Sequence, residues 1–346
     1  MGSSSKKLRV AMVGVGGFGA YRRDRMRDTG LFQIVAAYDR NPEALEACVK
    51  QDGARPVGSF AELLKTPDVE ALVISTGGKY HAPQALAGMK RGWHVFIEKP
   101  LCSTPAEVRA LLAMQRKTGL VAGVGHNDHS HDGTTLHLRK LLKSGFFGKI
   151  ATFEMVTAHS GGLEIKAGDW RGDPKKNPGG MLFQCGVHAL HELLFLFGPI
   201  KSVAALMRYD VHTTLTADVA HCLLTFESGM VGTLSAYHVT PYRHTFYIYG
   251  TKHSLYIDGR APGYGDPSYI ATQERQRGIA EPHQAFKLGE GAKSDACGNL
   301  KSFYRAVRQG GEPYPSLKDG ARAVLAVFAA EKAAKTGRTI RVERVK

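Results

Sequence analysis

Leu8-Arg9-Val10-Ala11-Met12-Val13-Gly14-Val15-Gly16-Gly17-Phe18-Gly19 is a short apolar run that empties into a glycine-rich turn. The run reads as a buried strand, and Gly14, Gly16 and Gly19 form G-x-G-x-x-G. Alone the motif is weak; its surroundings give it force. A helical segment follows, then a second apolar strand from Phe32 to Tyr38 that ends on Asp39, about twenty residues further on. Such glycines allow a tight turn, so that backbone N–H groups at Gly17 and Phe18 and the helix N-terminus can meet a pyrophosphate. Asp39 is placed to accept hydrogen bonds from an adenosine ribose and to repel a 2′-phosphate. That favours NAD, while Arg40 beside it leaves NADP open.

Working outward, Asn41-Pro42 supplies an N-cap and a first-turn proline for the next helix. Ala71 to Ser75, Trp93 to Ile97 and Leu120 to Val124 are further buried-type strands, separated by helical patterns at Tyr80 to Arg91 and Pro105 to Thr118. Strand–helix alternation with short connections predicts parallel strands joined by right-handed crossovers. A sheet of that kind exposes its functional groups at the carboxyl ends of its strands. Lys99 sits there, in Trp93-His94-Val95-Phe96-Ile97-Glu98-Lys99-Pro100, with its backbone stiffened by the proline. The placement suits chemistry or phosphate binding; a snorkelling lysine at a strand end is the plainer reading.

After Gly125 the rhythm changes. Gly133 to Ser144 reads as an amphipathic helix. Long β-like stretches follow with few helices between them: Ile150 to Thr157, Ser202 to Tyr209, Val219 to Phe226, Met230 to His238, His244 to Tyr249 and Ser254 to Ile257. Gly179 to Phe197 is predicted as one long helix. Pro262 to Ala296 is polar and poorly patterned and reads as a surface loop. Asn299 to Arg308 and Leu317 to Thr336 read as helices and Thr339 to Val342 as a closing strand. The fold class is therefore α/β followed by α+β. A Rossmann dinucleotide-binding domain over 1–126 precedes a domain over 127–346 with a large, open, mostly antiparallel sheet, and the last helices are free to pack back on the first domain.

With 346 residues and 43% hydrophobic side chains, two well-filled domains are expected. The formal charge of +15 raises nucleic acid as a partner. The basic residues are dispersed and interleaved with acids, however, as in Arg22-Arg23-Asp24-Arg25, and read as solvated helix faces. No stretch reaches the ~20 apolar residues of a membrane span, and the first residues lack the apolar core of a signal peptide. The five cysteines show no paired spacing, which fits reduced thiols in a cytoplasm.

Taken together, the glycine motif, Ser75-Thr76-Gly77-Gly78-Lys79-Tyr80-His81, Glu98-Lys99-Pro100, and Trp170-Arg171 ahead of Gly179-Gly180-Met181-Leu182-Phe183-Gln184-Cys185-Gly186-Val187-His188 resemble the Gfo/Idh/MocA oxidoreductase family. The resemblance covers nearly the whole chain. It implies a nucleotide domain beside an open-sheet domain, with a carbohydrate such as a sugar, glycoside or inositol as substrate. By the same resemblance Lys99 and His188 are the catalytic pair: a histidine takes the hydroxyl proton and a lysine ammonium steadies the developing alkoxide. Ser75, Thr76, His81 and Glu98 fall beside the cofactor, and Asn127, Trp170 and Arg171 beside the substrate. A homodimer or homotetramer would cover the open sheet.

Two departures bear on the substrate. Many family members carry aspartates where this chain has Gln184 and His191, and on a regular helix 184, 188 and 191 share a face. Neither replacement brings a negative charge to the site. Two other readings stay open: a redox-neutral glycosidase or epimerase that uses tightly held NAD transiently, and a non-catalytic nucleotide or sugar sensor. The run His126-Asn127-Asp128-His129-Ser130-His131 reads as a solvated or sugar-binding loop in preference to a metal site.

Overall fold

The computed structural model describes residues 6–126, 131–212, 214–259, 268–272, 284–285, 288 and 293–345. The chain forms two compact units, Met1–Asp128 with Asp295–Ala321, and His129–Ser294 with Arg322–Lys346.

In the first unit, strands β1 (Leu8–Val13), β2 (Phe32–Tyr38), β3 (Arg55–Pro56), β4 (Ala71–Ile74), β5 (His94–Glu98) and β6 (Ala122–Gly125) form a parallel sheet in the order β3-β2-β1-β4-β5-β6. This is the strand order of dinucleotide-binding folds. Every residue of β4 is buried, as befits a strand covered on both faces. The crossovers are α1 (Phe18–Thr29), α2 (Pro42–Asp52), the short α3 (Phe60–Leu63), α4 (His81–Lys90) and α5 (Pro105–Thr118). Their ends follow local chemistry. Asn41 accepts from Glu43 N at 3.0 Å, Thr104 and Glu107 form a reciprocal capping box, and glycines close α1, α2 and α5. The two-residue β3 carries too little pattern to be read from sequence.

The arginine cluster of α1 departs from expectation. Arg22 and Arg23 are 3% and 2% exposed. Arg22 pairs with Glu98 at 2.6 Å and Arg23 with Asp52 at 2.5 Å, and Arg23 also donates to the carbonyl of Val15. The acids that neutralise them lie far away in sequence, so the local pattern gave no sign of their burial.

A late helix, α8 (Gly298–Gln309), completes this unit. Its Phe303 is fully buried edge-on to Phe96 of β5, ring centroids 5.5 Å apart. Gly123 of β6 makes room for both rings: a Cβ there would lie 3.1 Å from Phe303 and 3.2 Å from Phe96.

The second unit holds a sheet of nine strands among the described residues, ordered β14-β13-β12-β11-β7-β10-β9-β8-β15. These are β7 (Ile150–Ala158), β8 (Ile200–Arg208), β9 (Val219–Phe226), β10 (Val231–Tyr237), β11 (Arg243–Gly250), β12 (His253–Gly259), β13 (Ser268–Thr272), β14 (Gln284–Ala285) and β15 (Ile340–Arg341). β7 and β10 pair in parallel; the other pairs are antiparallel. The segment expected as a loop over 262–296 thus contributes β13 and β14, with the two-residue β14 at the sheet edge.

Along β9 the side chains alternate, with Ala220, Cys222, Leu224 and Phe226 buried. On this inner face lies α7 (Val187–Phe197), whose Phe197 ring sits 5.2 Å from Phe153, 5.8 Å from Phe226 and 6.3 Å from Phe246. The other face leaves apolar groups in solvent, with Leu206 75% and Leu223 51% exposed. The helix expected from Gly179 to Phe197 is not uniform: Leu182–Gly186 forms a π-helical turn ahead of α7. Helices α6 (Gly133–Lys143) and α9 (Leu317–Thr336) match their sequence patterns. No helix among the described residues is long and apolar enough to cross a membrane.

If Phe303 is the plug that docks α8 on the first sheet, Phe303→Ala should cost about 3–5 kcal/mol of stability. Urea unfolding measures this; a loss under about 1 kcal/mol would mean that α8 docks by other contacts.

Candidate active site

The carboxyl ends of β1, β2, β4 and β5 lie along one edge of the parallel sheet and bring Gly14, Asp39, Ser75 and Lys99 to the same side. Gly14 has φ +79°, and a Cβ on it would lie 2.7 Å from the backbone of Ser75; no other residue fits. At Gly16 a Cβ would meet Ala44 at 2.8 Å. Asp39 shapes the turn itself. Its Oδ2 accepts from Val15 N at 2.7 Å and Gly16 N at 3.1 Å, and its Oδ1 accepts from Asn41 N at 2.9 Å. Arg23 holds the same turn from the other side through Val15 O at 3.1 Å.

Beside this turn is a cleft of about 490 Å³, lined by Gly14, Asp39, Arg40, Ser75, Thr76 and Tyr80 among others. The buried hydroxyl of Ser75 has no hydrogen-bond partner there. Arg40 lies over the Tyr80 ring at 5.9 Å and Lys79 over the same ring at 4.6 Å. A cradle that only glycine fits, an unsatisfied hydroxyl and an acid at the strand end match a dinucleotide. Gly17 and the half-exposed Phe18 open α1, with the Phe18 ring 5.1 Å from Tyr21.

Lys99 follows β5 directly and is half-buried. Its two neighbours in the signature are fixed by different means. Glu98 is 3% exposed and pairs through Oε1 with Arg22. The carbonyl of Pro100 lies 2.8 Å from Nδ1 of His81, and Nε2 of the same ring lies 2.7 Å from the carbonyl of Thr76. His81 is itself buried, and burial lowers its pKa from the ordinary value, against the raising effect of both carbonyls. It therefore joins the Thr76 loop to the turn that carries Lys99. Thr76 further donates to Gln84 at 2.7 Å.

The second unit contains a polar cavity of about 370 Å³ lined by His159, Glu164, Asp169, Arg171, Gln184 and His238, with Gly161, Gly162 and Ile165. Gln184 reaches it from the π-helical turn, a form common at functional sites. Trp170 and Arg171 stand in a 3₁₀ turn, where the Arg171 guanidinium covers the Trp170 ring at 4.8 Å and approaches Asp169 at 3.4 Å. The backbone of Arg171 is held by Asn177 at 2.6 Å and Thr216 at 3.0 Å. His238 of this wall is 2% exposed and backed by the fully buried Asp218, and burial lowers the pKa of His238 despite its approach to Asp218. His188, in the first turn of α7, is half-buried.

His191 was expected beside the substrate but is 1% exposed and packed inside. The π-helical turn shifts Gln184 out of phase with His188, while His188 and His191 stand three residues apart on one face of regular α7. Asn127 and most of the His126–His131 run lie outside the described residues, and His126 is fully buried. Among the described residues no group of three or more His, Cys, Asp or Glu is placed to hold a metal. Glu164 and Asp169 lie in one irregular connection after β7 and His238 just past β10, so no regular spacing joins them in the sequence.

Two family models match the chain: the oxidoreductase NAD-binding Rossmann domain over residues 8–126, and the GFO/IDH/MocA C-terminal domain over residues 135–256. The 1,5-anhydro-D-fructose reductase of Ensifer adhaerens is 26% identical over 319 residues, which cover 90% of this chain and 91% of that protein. Levoglucosan dehydrogenase in complex with NADH superposes with a TM-score of 0.84 at 20% identity, over 98% of this chain and 100% of that one. The WlbA dehydrogenase of Bordetella pertussis, in complex with NADH and UDP-GlcNAcA, gives 0.82 at 21%, over 98% and 100%. At such identities the two structures speak to the fold alone. With its Rossmann unit and its C-terminal sheet both matched, the chain belongs to the Gfo/Idh/MocA family and is an NAD-binding oxidoreductase.

Proposed function

We propose that this oxidoreductase interconverts a secondary hydroxyl and a keto group on an uncharged carbohydrate, with Lys99 and His188 handling the hydroxyl proton. The observation that carries the reading is Lys99 at the carboxyl end of β5, its turn anchored through His81 to the loop of the cofactor cleft. When bound, NAD supplies the hydride acceptor. The chain supplies the rest. An imidazole at 188 accepts the hydroxyl proton near neutral pH, and the Lys99 ammonium hydrogen-bonds the same oxygen as charge develops.

The cavity of the second unit supports a neutral, many-hydroxylated substrate. Its wall combines two carboxylates, an amide, imidazoles and an arginine already partnered by Asp169. Hydroxyl groups need donors and acceptors together, and this wall offers both. An acidic sugar would meet Glu164 and Asp169 with only one guanidinium to offset them. One relative is named for an uncharged sugar, 1,5-anhydro-D-fructose. Asp39 supports NAD over NADP. The open apolar sheet face, with Leu206 and Leu223, supports self-association as a dimer or tetramer.

Lys99→Ala should lower kcat by about a thousandfold or more while NADH affinity changes by less than about threefold. Steady-state turnover on neutral sugars, glycosides and inositols, with sugar acids as the contrast, tests it; full turnover would sink the mechanism. Asp39→Ala should weaken NADH binding by roughly tenfold or more, because the turn loses its acceptors as well as its ribose contact. Fluorescence titration with NADH and NADPH measures both effects. Sedimentation should give a dimer or tetramer, and Leu206→Glu with Leu223→Glu should yield monomers; a monomeric parent protein would remove the proposal.

A further inference from the structure

Strands β9 and β10 pair with Val219 opposite Tyr237, which brings the residues just beyond that pair, Asp218 and His238, together at one end of the sheet. The N–H of His238 donates to the carbonyl of Asp218 at 3.2 Å. Their side chains meet as well. Nε2 of His238 faces Oδ1 of Asp218 at 3.5 Å, and neither atom has another hydrogen-bond partner among the described residues. Asp218 is fully buried, and its second oxygen is committed elsewhere: Oδ2 accepts from Val211 N at 3.0 Å and His212 N at 3.1 Å. His212 in turn places its Nε2 3.0 Å from the carbonyl of Ile165 in the wall of the polar cavity. His238 belongs to the same wall. Its ring packs on Gly162, where a Cβ would lie 2.4 Å from Cδ2, and Gly162 N donates to the carbonyl of His238 at 2.7 Å.

The contact with Asp218 decides where the ring keeps its proton. An ionised carboxylate only accepts hydrogen bonds, so the nitrogen facing it carries the N–H. Burial lowers the pKa of His238 against the raising effect of Asp218, with His159 and His212 lowering it further, so the ring is neutral near neutral pH and has one proton to place. With that proton on Nε2, Nδ1 is left with a lone pair.

We propose, on the reading of the polar cavity as the carbohydrate site, that His238 is a substrate-binding residue whose Nδ1 accepts a hydrogen bond from a sugar hydroxyl, and that Asp218 is the positioning residue that fixes the ring proton on Nε2. Asp218 touches no substrate; it acts through the imidazole. The device selects for a free hydroxyl at one position of the sugar. A keto or ether oxygen there would set lone pair against lone pair and lose the bond.

Nitrogen NMR of the histidine-labelled full chain at neutral pH tests the first half. The His238 ring, identified by its loss in His238→Gln, should carry its proton on Nε2. In Asp218→Asn the proton should move to Nδ1, because the amide keeps its oxygen on the N–H groups of Val211 and His212 and turns its NH₂ toward the ring. Steady-state turnover tests the second half, on those neutral sugars, glycosides and inositols that the parent protein accepts. Asp218→Asn should raise KM about tenfold with kcat within about threefold. His238→Asn keeps a polar atom at the place of Nδ1, whereas His238→Gln keeps one at the place of Nε2; the glutamine variant should have the higher KM, by about fivefold or more. Equal KM values, or the reverse order, would make the ring a mere brace for Asp218 and overturn the assignment, as would a parent ring with its proton on Nδ1. If Asp218→Asn does not fold, the two His238 variants decide. A parent protein that turns over none of these compounds would overturn the reading of the cavity and the substrate contact with it, while the parent ring's proton would still show whether Asp218 sets it.

Discussion

The first unit depends on a buried ion pair. Glu98, the last residue of β5, meets Arg22 of α1 at 2.6 Å, with both side chains almost wholly removed from solvent. Arg22 also donates to Asn299 of α8 at 3.3 Å, and Asn299 donates to the carbonyl of His126 at 3.2 Å. Three segments distant in sequence thus meet at one guanidinium. Desolvating two charges is costly, and the pair holds only with good geometry on both sides. The fold provides it: the Arg22 guanidinium lies 5.0 Å from the Phe96 ring, and Gly125 leaves the space that Glu98 occupies, where a Cβ would stand 2.6 Å from Oε2. Removing either partner would strand a charge next to Lys99. The arginine after the glycine turn and the glutamate before the lysine therefore belong to one device.

Much of this was legible in the sequence because the parallel strands are apolar throughout and end on turn residues. Leu8–Val13, Phe32–Tyr38 and the β5 run need no partner to be recognised. The glycine spacing with Asp39 placed the cleft, and Glu98-Lys99-Pro100 placed the lysine. What stayed hidden depends on long-range partners. Arg22 and Arg23 look solvated until Glu98 and Asp52 are brought to them. The short strands β13 and β14 read as loop because two to five residues carry too little alternation to stand out from a polar, glycine-rich segment. The phase of Gln184 against His188 was misread because nothing in Leu182-Phe183-Gln184-Cys185-Gly186 announces a π-helical turn. The polar cavity, gathered from the 3₁₀ turn, that π-helical turn and β-strand ends, has no linear signature at all.

The second unit divides its labour between two faces of one sheet. Phe153, Phe226 and Phe246 receive Phe197 on the inner side and anchor the C-terminal end of α7. The N-terminal end of that helix, with His188 and the turn before it, is thereby positioned against a rigid support. Regular helix serves where packing matters, and the irregular turn comes where Gln184 reaches the polar cavity.

His81 has a consequence of another kind. A neutral imidazole has a single N–H, yet both of its nitrogens face carbonyl oxygens, at 2.8 and 2.7 Å. Because burial lowers the affinity of this ring for a second proton, the Pro100 turn and the Thr76 loop share one hydrogen between them. Whichever carbonyl receives it is drawn in, and the other faces a lone pair. The lysine turn and the cofactor loop are thus rivals for a single proton, and a shift of tautomer would pass tension from one to the other without moving any heavy atom of the ring.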